Sequence, residues 1–451
     1  MTAALRRSFD SLSVPNYRRY FTGQVVSITG NWMQTVAEMW LVVQLTDSGL
    51  AVGLTAALQF LPILLLGAYG GVIADRRDKR RLLMVTQALM AIPALTLLVL
   101  SATDVVHVWM VFALVLARGT VNAIDNPARQ AFVMEIVGAD RVVNAVSLNS
   151  VIVHSARIAG PALAGGLIAA IGVTPCFGAN AASFVVMIFA LRAMDPKLLH
   201  RSPLAARGRG QIRAAVAEVR RRPELRIPLG MMVAIGTLSF NFQVLMPLFA
   251  RFTWHGTATT YAVLMSAMGV GSVAGALLAG ARGRVTPQLL VLSAALFGGA
   301  QLLAAVAPTE AFQVLALIPL GAASVTFAAG VNSSLQIASQ GELRGRVMAL
   351  YSVVFLGSTP IGAPLIGWIA EVAGPRWGLV IGGVAALATA AWARLAFARA
   401  AEPDAVRAPE PDRRRPAPAA PPHGARRLPG SRLPTGRRRA ERPLPSAKRA
   451  S

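Results

Sequence analysis

The sequence predicts an all-α membrane protein: twelve transmembrane helices in two parallel six-helix repeats, followed by a disordered basic tail. Three observations lead there. The 451 residues are 55% hydrophobic and only 14% charged, where soluble domains are about one quarter charged. Apolar stretches of spanning length, about 20 residues, recur along the chain. Lys and Arg alternate between rich and poor connections, as they do on the two sides of a membrane. The composition excludes a water-soluble globule, a fibre and a wholly disordered chain. Lys and Arg number 44 against 20 acids, a net charge of +24. In so apolar a chain that excess reads as loop charge and lipid contact, with no nucleic-acid partner.

The spans follow in order. Six are expected over Tyr20–Thr46, Leu50–Ala74, Leu82–Ser101, Val105–Asn126, Asn144–Ile171 and Pro175–Met194. Six more are expected over Ile227–Ala250, Thr257–Ala281, Pro287–Ala307, Ala311–Ala338, Val347–Ala373 and Trp377–Phe397. The residues before Tyr20 are polar, and the first apolar run is too long for a cleavable leader. Connections after odd-numbered spans carry only Arg251 and Arg376. Those after even-numbered spans hold Arg76–Arg81 and the Arg-rich segment 192–226. Both termini are therefore expected in the cytoplasm, with the chain in the inner membrane. The expected organisation is an amino-terminal bundle (1–194), a cytoplasmic linker (195–226), a carboxyl-terminal bundle (227–397) and a Pro/Arg-rich tail (398–451). The linker carries Glu218 and Arg222, an i, i+4 pair suited to a surface helix. The tail has no apolar period with which to build a core.

An offset of 202 residues lays the halves on each other. Gly160 meets Gly362, Gly165 meets Gly367, Gly172 meets Gly374, and Ser150-Val151 meets Ser352-Val353. An even number of crossings separates the copies, so they share one orientation, as parallel repeats about an axis along the membrane normal do.

Motifs narrow this further. After span 2 the chain reads Gly71-Val-Ile-Ala-Asp75-Arg76-Arg77-Asp78-Lys79-Arg80-Arg81. Span 5 contains Gly160-Pro161-Ala-Leu-Ala-Gly165. Gly30-Asn-Trp-Met-Gln34, Asn126-Pro-Ala-Arg-Gln130, Phe240-Asn-Phe-Gln-Val-Leu-Met-Pro247 and the stretch from Glu342 to Pro360 complete the set. Together they resemble the major facilitator superfamily, in the branch of enterobactin exporters, macrolide efflux pumps and transmembrane secretion effectors. The resemblance covers about residues 10–397. It implies a cytoplasmic latch at Gly71, Asp75, Arg76 and Arg80. There Gly71 admits a neighbouring helix and Asp75 accepts from Arg or from a helix N-terminus. The family's second glycine is replaced by Asp78, which alters the turn. Gly160, Pro161 and Gly165 are the expected span-5 hinge: small residues pack closely and Pro161 removes a backbone donor.

Four ionisable residues fall within spans, where such groups are functional candidates: Glu38, Arg118, Asp125 and Arg157. Glu38 and Arg157 are the preferred pair, with a static, register-fixing role as the alternative to proton coupling. Arg118 resembles the family's span-4 arginine, and Asp125 is expected near the cytoplasmic interface. His154, one turn before Arg157, reads mainly as a packing residue. By the resemblance spans 1, 4, 7 and 10 line the cavity, offering Asn31, Trp32, Gln34, Asn241, Gln243, Asn332 and Gln336. Each amide serves equally well as an interhelical hydrogen bond.

The five histidines are scattered, no HExxH or Walker lysine motif occurs, and Cys176 is the sole cysteine. No metal or cofactor is expected, and the chain is not read as an enzyme. The resemblance implies secondary active export of a small organic molecule, a siderophore, macrolide or other drug-like compound. Proton antiport by alternating access in a monomer is the expected mechanism. A facilitator or importer is the alternative, and a non-transport scaffold a distant third.

Overall fold

The computed structural model describes residues 9–200, 211–282, 285–339 and 341–406. The chain divides into two units, Met1–Glu402 and Pro403–Ser451. Beyond Val406 the predicted tail lies outside the described residues.

Six long helices come first: α1 (Pro15–Thr46), α2 (Gly49–Arg76), α3 (Lys79–Ala102), α4 (Val108–Val137), α5 (Val142–Ile171) and α6 (Thr174–Arg192). A short amphipathic helix, α7 (Gln211–Arg221), precedes the second set. There the expected Glu218–Arg222 pair forms at 2.6 Å. The second set is α8 (Pro223–Leu238), α9 (Phe242–Leu248), α10 (Ala258–Arg282), α11 (Pro287–Ala305), α12 (Glu310–Ala338), α13 (Gly341–Gly357), α14 (Thr359–Ala373) and α15 (Pro375–Val406). Side-chain caps start several spans: Ser48, Asp78, Thr286 and Thr309 each accept from an amide three residues on, satisfying an end that has no intrahelical acceptor.

The structure departs from the expected spans in three ways. Spans 7 and 11 are each two helices, broken between Leu238 and Phe242 and at Ser358. α4 continues past Asn126 to Val137, and the last helix past Phe397 to Val406. Among the described residues eleven segments are long and apolar enough to cross a membrane, not twelve. The exception is α1, whose 32 residues suffice in length. Its inward face carries Gln24, Ser27, Gln34 and Glu38, all buried, which lowers its hydropathy while keeping these four groups away from lipid.

The exterior is apolar and the interior partly charged, the reverse of a soluble protein. Val143, Leu277, Ile337 and Leu65 are more than two-thirds exposed, whereas Glu38, Arg118 and Asp125 are buried. Within the first six helices α1 packs on α5 and α6, α2 on α4, and α3 on α6. In the second set α10 and α11 pack on α12. The two sets meet where α2 crosses α14 and α5 crosses α10.

The repeat in the sequence reappears as packing. A Cβ on Gly160 would lie 2.4 Å from the Trp32 Cβ on α1, and one on Gly362 would lie 1.8 Å from the Thr237 carbonyl oxygen on α8. Gly165 faces Ala262 on α10, and its counterpart Gly367 faces the Gly49 carbonyl on α2. Gly172 and Gly374 both end helices with positive φ, 86° and 96°, a conformation glycine adopts without penalty.

One end of the bundle carries Arg18, Arg19, the Arg76–Arg81 loop and α7; it is called the basic end below. The opposite end is shut. Glu371 on α14 accepts from the Ser48 hydroxyl (2.6 Å) and the Leu50 amide (2.9 Å), capping α2. Arg251 donates to Asp47 at 3.0 Å. Gly49, Gly53 and Gly367 bring the α2 and α14 backbones together, since a Cβ on Gly53 would lie 2.4 Å from the Ala363 carbonyl.

Candidate functional site

A cavity of about 1110 Å³ lies between the two helix sets. Its lining reaches Tyr20, Gln130, Val146 and Ser333 toward the basic end and stops at Thr35, Ala56 and Ala363 toward the shut end. Large cavities with a few convergent polar groups are the usual ligand sites. The first-half wall is polar and charged: Asn31, Trp32, Arg118, Asn122, Asp125, Arg129, His154 and Arg157. The second-half wall is aromatic and amide-bearing. Phe240 meets Phe355 edge-on at 5.7 Å, and Phe355 stacks on Tyr351 at 5.9 Å. Asn241, Gln243 and Asn332 complete it.

Of the seven residues expected in the cavity, five line it: Asn31, Trp32, Asn241, Gln243 and Asn332. Gln34 does not. It is buried between α1 and α6, donating to Glu38 (2.7 Å) and accepting from Asn180 (2.5 Å). Gln336 lies outside the lining and donates to Asn332, one turn before it.

Glu38 does not pair with Arg157. It pairs with Arg118 at 2.5 Å, with the Glu38 side chain 1% exposed and that of Arg118 7%. Helix direction explains the correction. Glu38 is eight residues from the end of α1, about 12 Å at 1.5 Å per residue, and Arg118 is ten residues into antiparallel α4, about 15 Å from the same end. Arg157 is fifteen residues into α5, about 22 Å from the basic end, where Glu38 is about 34 Å. Arg157 instead lies over the Trp32 ring, 5.2 Å from its centroid, a cation–π geometry. Glu38 heads a relay across three helices: Arg118 and Gln34 donate to it, Asn180 to Gln34, and Ser183 to Asn180.

Asp125 is 2% exposed. It accepts from Thr86 (2.5 Å), Gln87 (2.9 Å) and Arg129, and Arg129 also donates to Gln24. The cluster ties α1, α3 and α4 together. Its partners were not singled out in the sequence, because amides and hydroxyls in apolar runs carry no mark of what they face. Only the i, i+4 spacing of Asp125 and Arg129 offered a signal.

The expected latch is not engaged. Asp75 is exposed and makes no ion pair among the described residues. A Cβ on Gly71 would meet open space; the close approach is at Gly70, against the Ala123 carbonyl. Arg76 is exposed as well. Arg80 donates to the carbonyls of Leu191 and Arg192 at the end of α6, where the helix dipole favours a cation. Lys79 pairs with Glu135 at 2.7 Å, both nearly buried. Asp78 has φ −60° and caps α3, so this turn needs no glycine. The span-5 element is one unbroken helix through Gly160, Pro161 and Gly165.

Comparison with known proteins agrees with this geometry. The transmembrane secretion effector family model matches residues 7–418. The macrolide efflux protein A of Streptococcus pyogenes is 23% identical over 80% of this chain and 91% of its own. The enterobactin exporter EntS of Salmonella typhimurium is 24% identical over 80% and 87%. The staphyloferrin A transporter of Staphylococcus aureus is 24% identical over 56% of this chain, which spans 64% of that relative's length. Among solved structures, a bacterial homolog of the human lysosomal transporter Spinster, inward-facing and unoccupied, superposes with TM-score 0.69 over 85% of this chain and 97% of its own, at 13% identity. The nucleoside transporter NupG superposes with TM-score 0.65 over 86% and 98%, at 14% identity. The relatives are membrane transporters, and the chain, a multi-pass helical membrane protein of the major facilitator fold, belongs to the transmembrane secretion effector family.

Proposed function

We propose that the protein is a secondary active exporter of a small organic molecule, working by alternating access and driven by inward proton flow. The observation that carries this is the central cavity, open toward the basic end, with a buried carboxylate–guanidinium pair at its inner wall. The excess of Arg at the basic end supports a cytoplasmic assignment for that end and for both termini, in the inner membrane. On that assignment the structure is the substrate-loading state. The two six-helix halves, residues 1–194 and 227–397, rock about the α2–α14 and α5–α10 crossings, with residues 195–226 as the linker. The cavity is enclosed by one chain, which supports a functional monomer.

Arg118 stands between Glu38 and the cavity. A rocking step that opens the shut end and draws Arg118 off Glu38 leaves Glu38 in a dry setting without its cation, and a buried carboxylate so deprived takes a proton from that side as the ligand leaves. Return of Arg118 when the basic end reopens expels that proton there before the next ligand loads, so proton and ligand cross in opposite directions. When the shut end opens and the basic end closes, Asp75, with Gly71 and Arg76, is free to engage the other half as the family latch does, while Arg80 keeps its hold on α6.

The test is efflux of siderophore, macrolide and dye probes from cells producing the chain, with and without a protonophore. Proton-driven efflux is expected from the wild type and is lost in Glu38→Gln at equal expression. Efflux indifferent to the protonophore would replace antiport with facilitated diffusion, and full activity of the Glu38→Gln variant would remove Glu38 from the mechanism.

A further inference from the structure

The charges around the cavity do not cancel. Its ionisable lining residues other than tyrosine are Arg118, Asp125, Arg129, His154 and Arg157, all from the first six helices. Arg118 is engaged by Glu38, and Arg129 by Asp125. Arg157 makes no ion pair among the described residues, and its buried Nε has no hydrogen-bond partner. Trp32 covers one face of the guanidinium. Nearby, His154 leaves its Nδ1 unpartnered, and across the cavity so does the Asn241 Oδ1.

An unpaired guanidinium is tolerable while the cavity is open to water. Closure around a ligand removes that water, and a buried cation without a counter-charge is strongly disfavoured. No carboxylate lining the cavity is free to move to Arg157, because the Asp125 oxygens are already held by Thr86, Gln87 and Arg129. The counter-charge must come from the occupant. Opposite Arg157, the wall offers the Phe240, Phe355 and Tyr351 rings and no charge, a surface suited to a flat aromatic or apolar body.

We infer that the cavity's ligand is an organic anion with an aromatic or flat apolar body, its acidic group on Arg157 and its ring system against the Phe240–Phe355–Tyr351 wall. This deepens the export reading by naming the chemical class that its cavity takes.

Two xanthene dyes of similar size and opposite charge separate the possibilities: fluorescein, an anion, and rhodamine 123, a cation. Binding to the full chain in lipid nanodiscs is read by fluorescence anisotropy. Fluorescein is expected to bind at least about tenfold tighter than rhodamine 123, the lower end of what a hydrogen bond to a charged group contributes to affinity. Arg157→Gln erases the preference and Arg157→Lys keeps part of it. Size-exclusion profiles matching the wild type certify that both variants fold. Equal or tighter binding of rhodamine 123, absent fluorescein binding, or unchanged fluorescein affinity in Arg157→Gln overturns the inference. A separate proteoliposome assay keeps the two readings apart. Arg157-dependent fluorescein binding with no solute movement sinks export and leaves the anion site standing. Rhodamine 123 transport that ignores Arg157 does the opposite.

Discussion

Glu38 and Arg118 are two full charges removed from water, and each depends on the other. Removing one partner of such a pair costs about 3–5 kcal/mol because the survivor is left buried and uncompensated. Arg118→Gln is therefore expected to lower the thermal unfolding midpoint in detergent more than Glu38→Gln does. The double variant Glu38→Gln, Arg118→Gln recovers much of the loss. A double-mutant cycle measures this, and additive effects would show that the two side chains are uncoupled. The sequence marked Glu38, Arg118, Asp125 and Arg157 because charge inside an apolar run is conspicuous. It did not reveal who pairs with whom. Pairing is set by which end each antiparallel helix enters from and by which face of α1 turns toward α4, and neither is a local property. Asn180 and Gln87 were illegible for the same reason: an amide in a span looks alike whether it holds a carboxylate or a backbone carbonyl.

The helices themselves were far more legible. Length, apolarity and intervening basic loops gave most span ends to within a few residues, but not the two interruptions, nor the ends of α4 and α15, which run on to Val137 and Val406 past the expected Asn126 and Phe397. At Ser239–Asn241 no proline or glycine marks the break. The broken backbone is supported from outside: Gln301 donates to the Ser239 carbonyl, and Ser239 donates to Gly382 on α15. Irregular backbone inside a membrane persists only with such partners. Gln301→Leu strands the Ser239 carbonyl and is expected to destabilise by about 1–3 kcal/mol, with increased proteolysis between α8 and α9 as the readout. The paired glycines make a second point at this scale. The α2 and α14 backbones touch because Gly53 has no side chain, so Gly53→Leu must push the helices apart. It is expected to raise reactivity toward a water-soluble maleimide at an introduced Asp47→Cys, measured from outside the cell. Unchanged labelling would mean that closure of this end does not rest on that crossing.

Across the whole molecule the shut end is a discrete clasp: Asp47 to Arg251, Glu371 to the start of α2, and three glycines between them. A thiol-reactive bifunctional reagent applied to Asp47→Cys, Arg251→Cys is expected to hold the protein in this one state. Transport should fall by at least about tenfold and return when a cleavable reagent is reduced. Persisting transport in the crosslinked protein would contradict alternating access. The chain's own thiol does not interfere, since Cys176 is buried. The distribution of chemistry between the halves has one further consequence. The charged side chains of the chamber come from one half of the repeat and the Phe240–Phe355–Tyr351 wall from the other. Substitutions beside Phe240 and Phe355 are therefore expected to change the silhouette the chamber accepts and to leave its preference for charge as it stands.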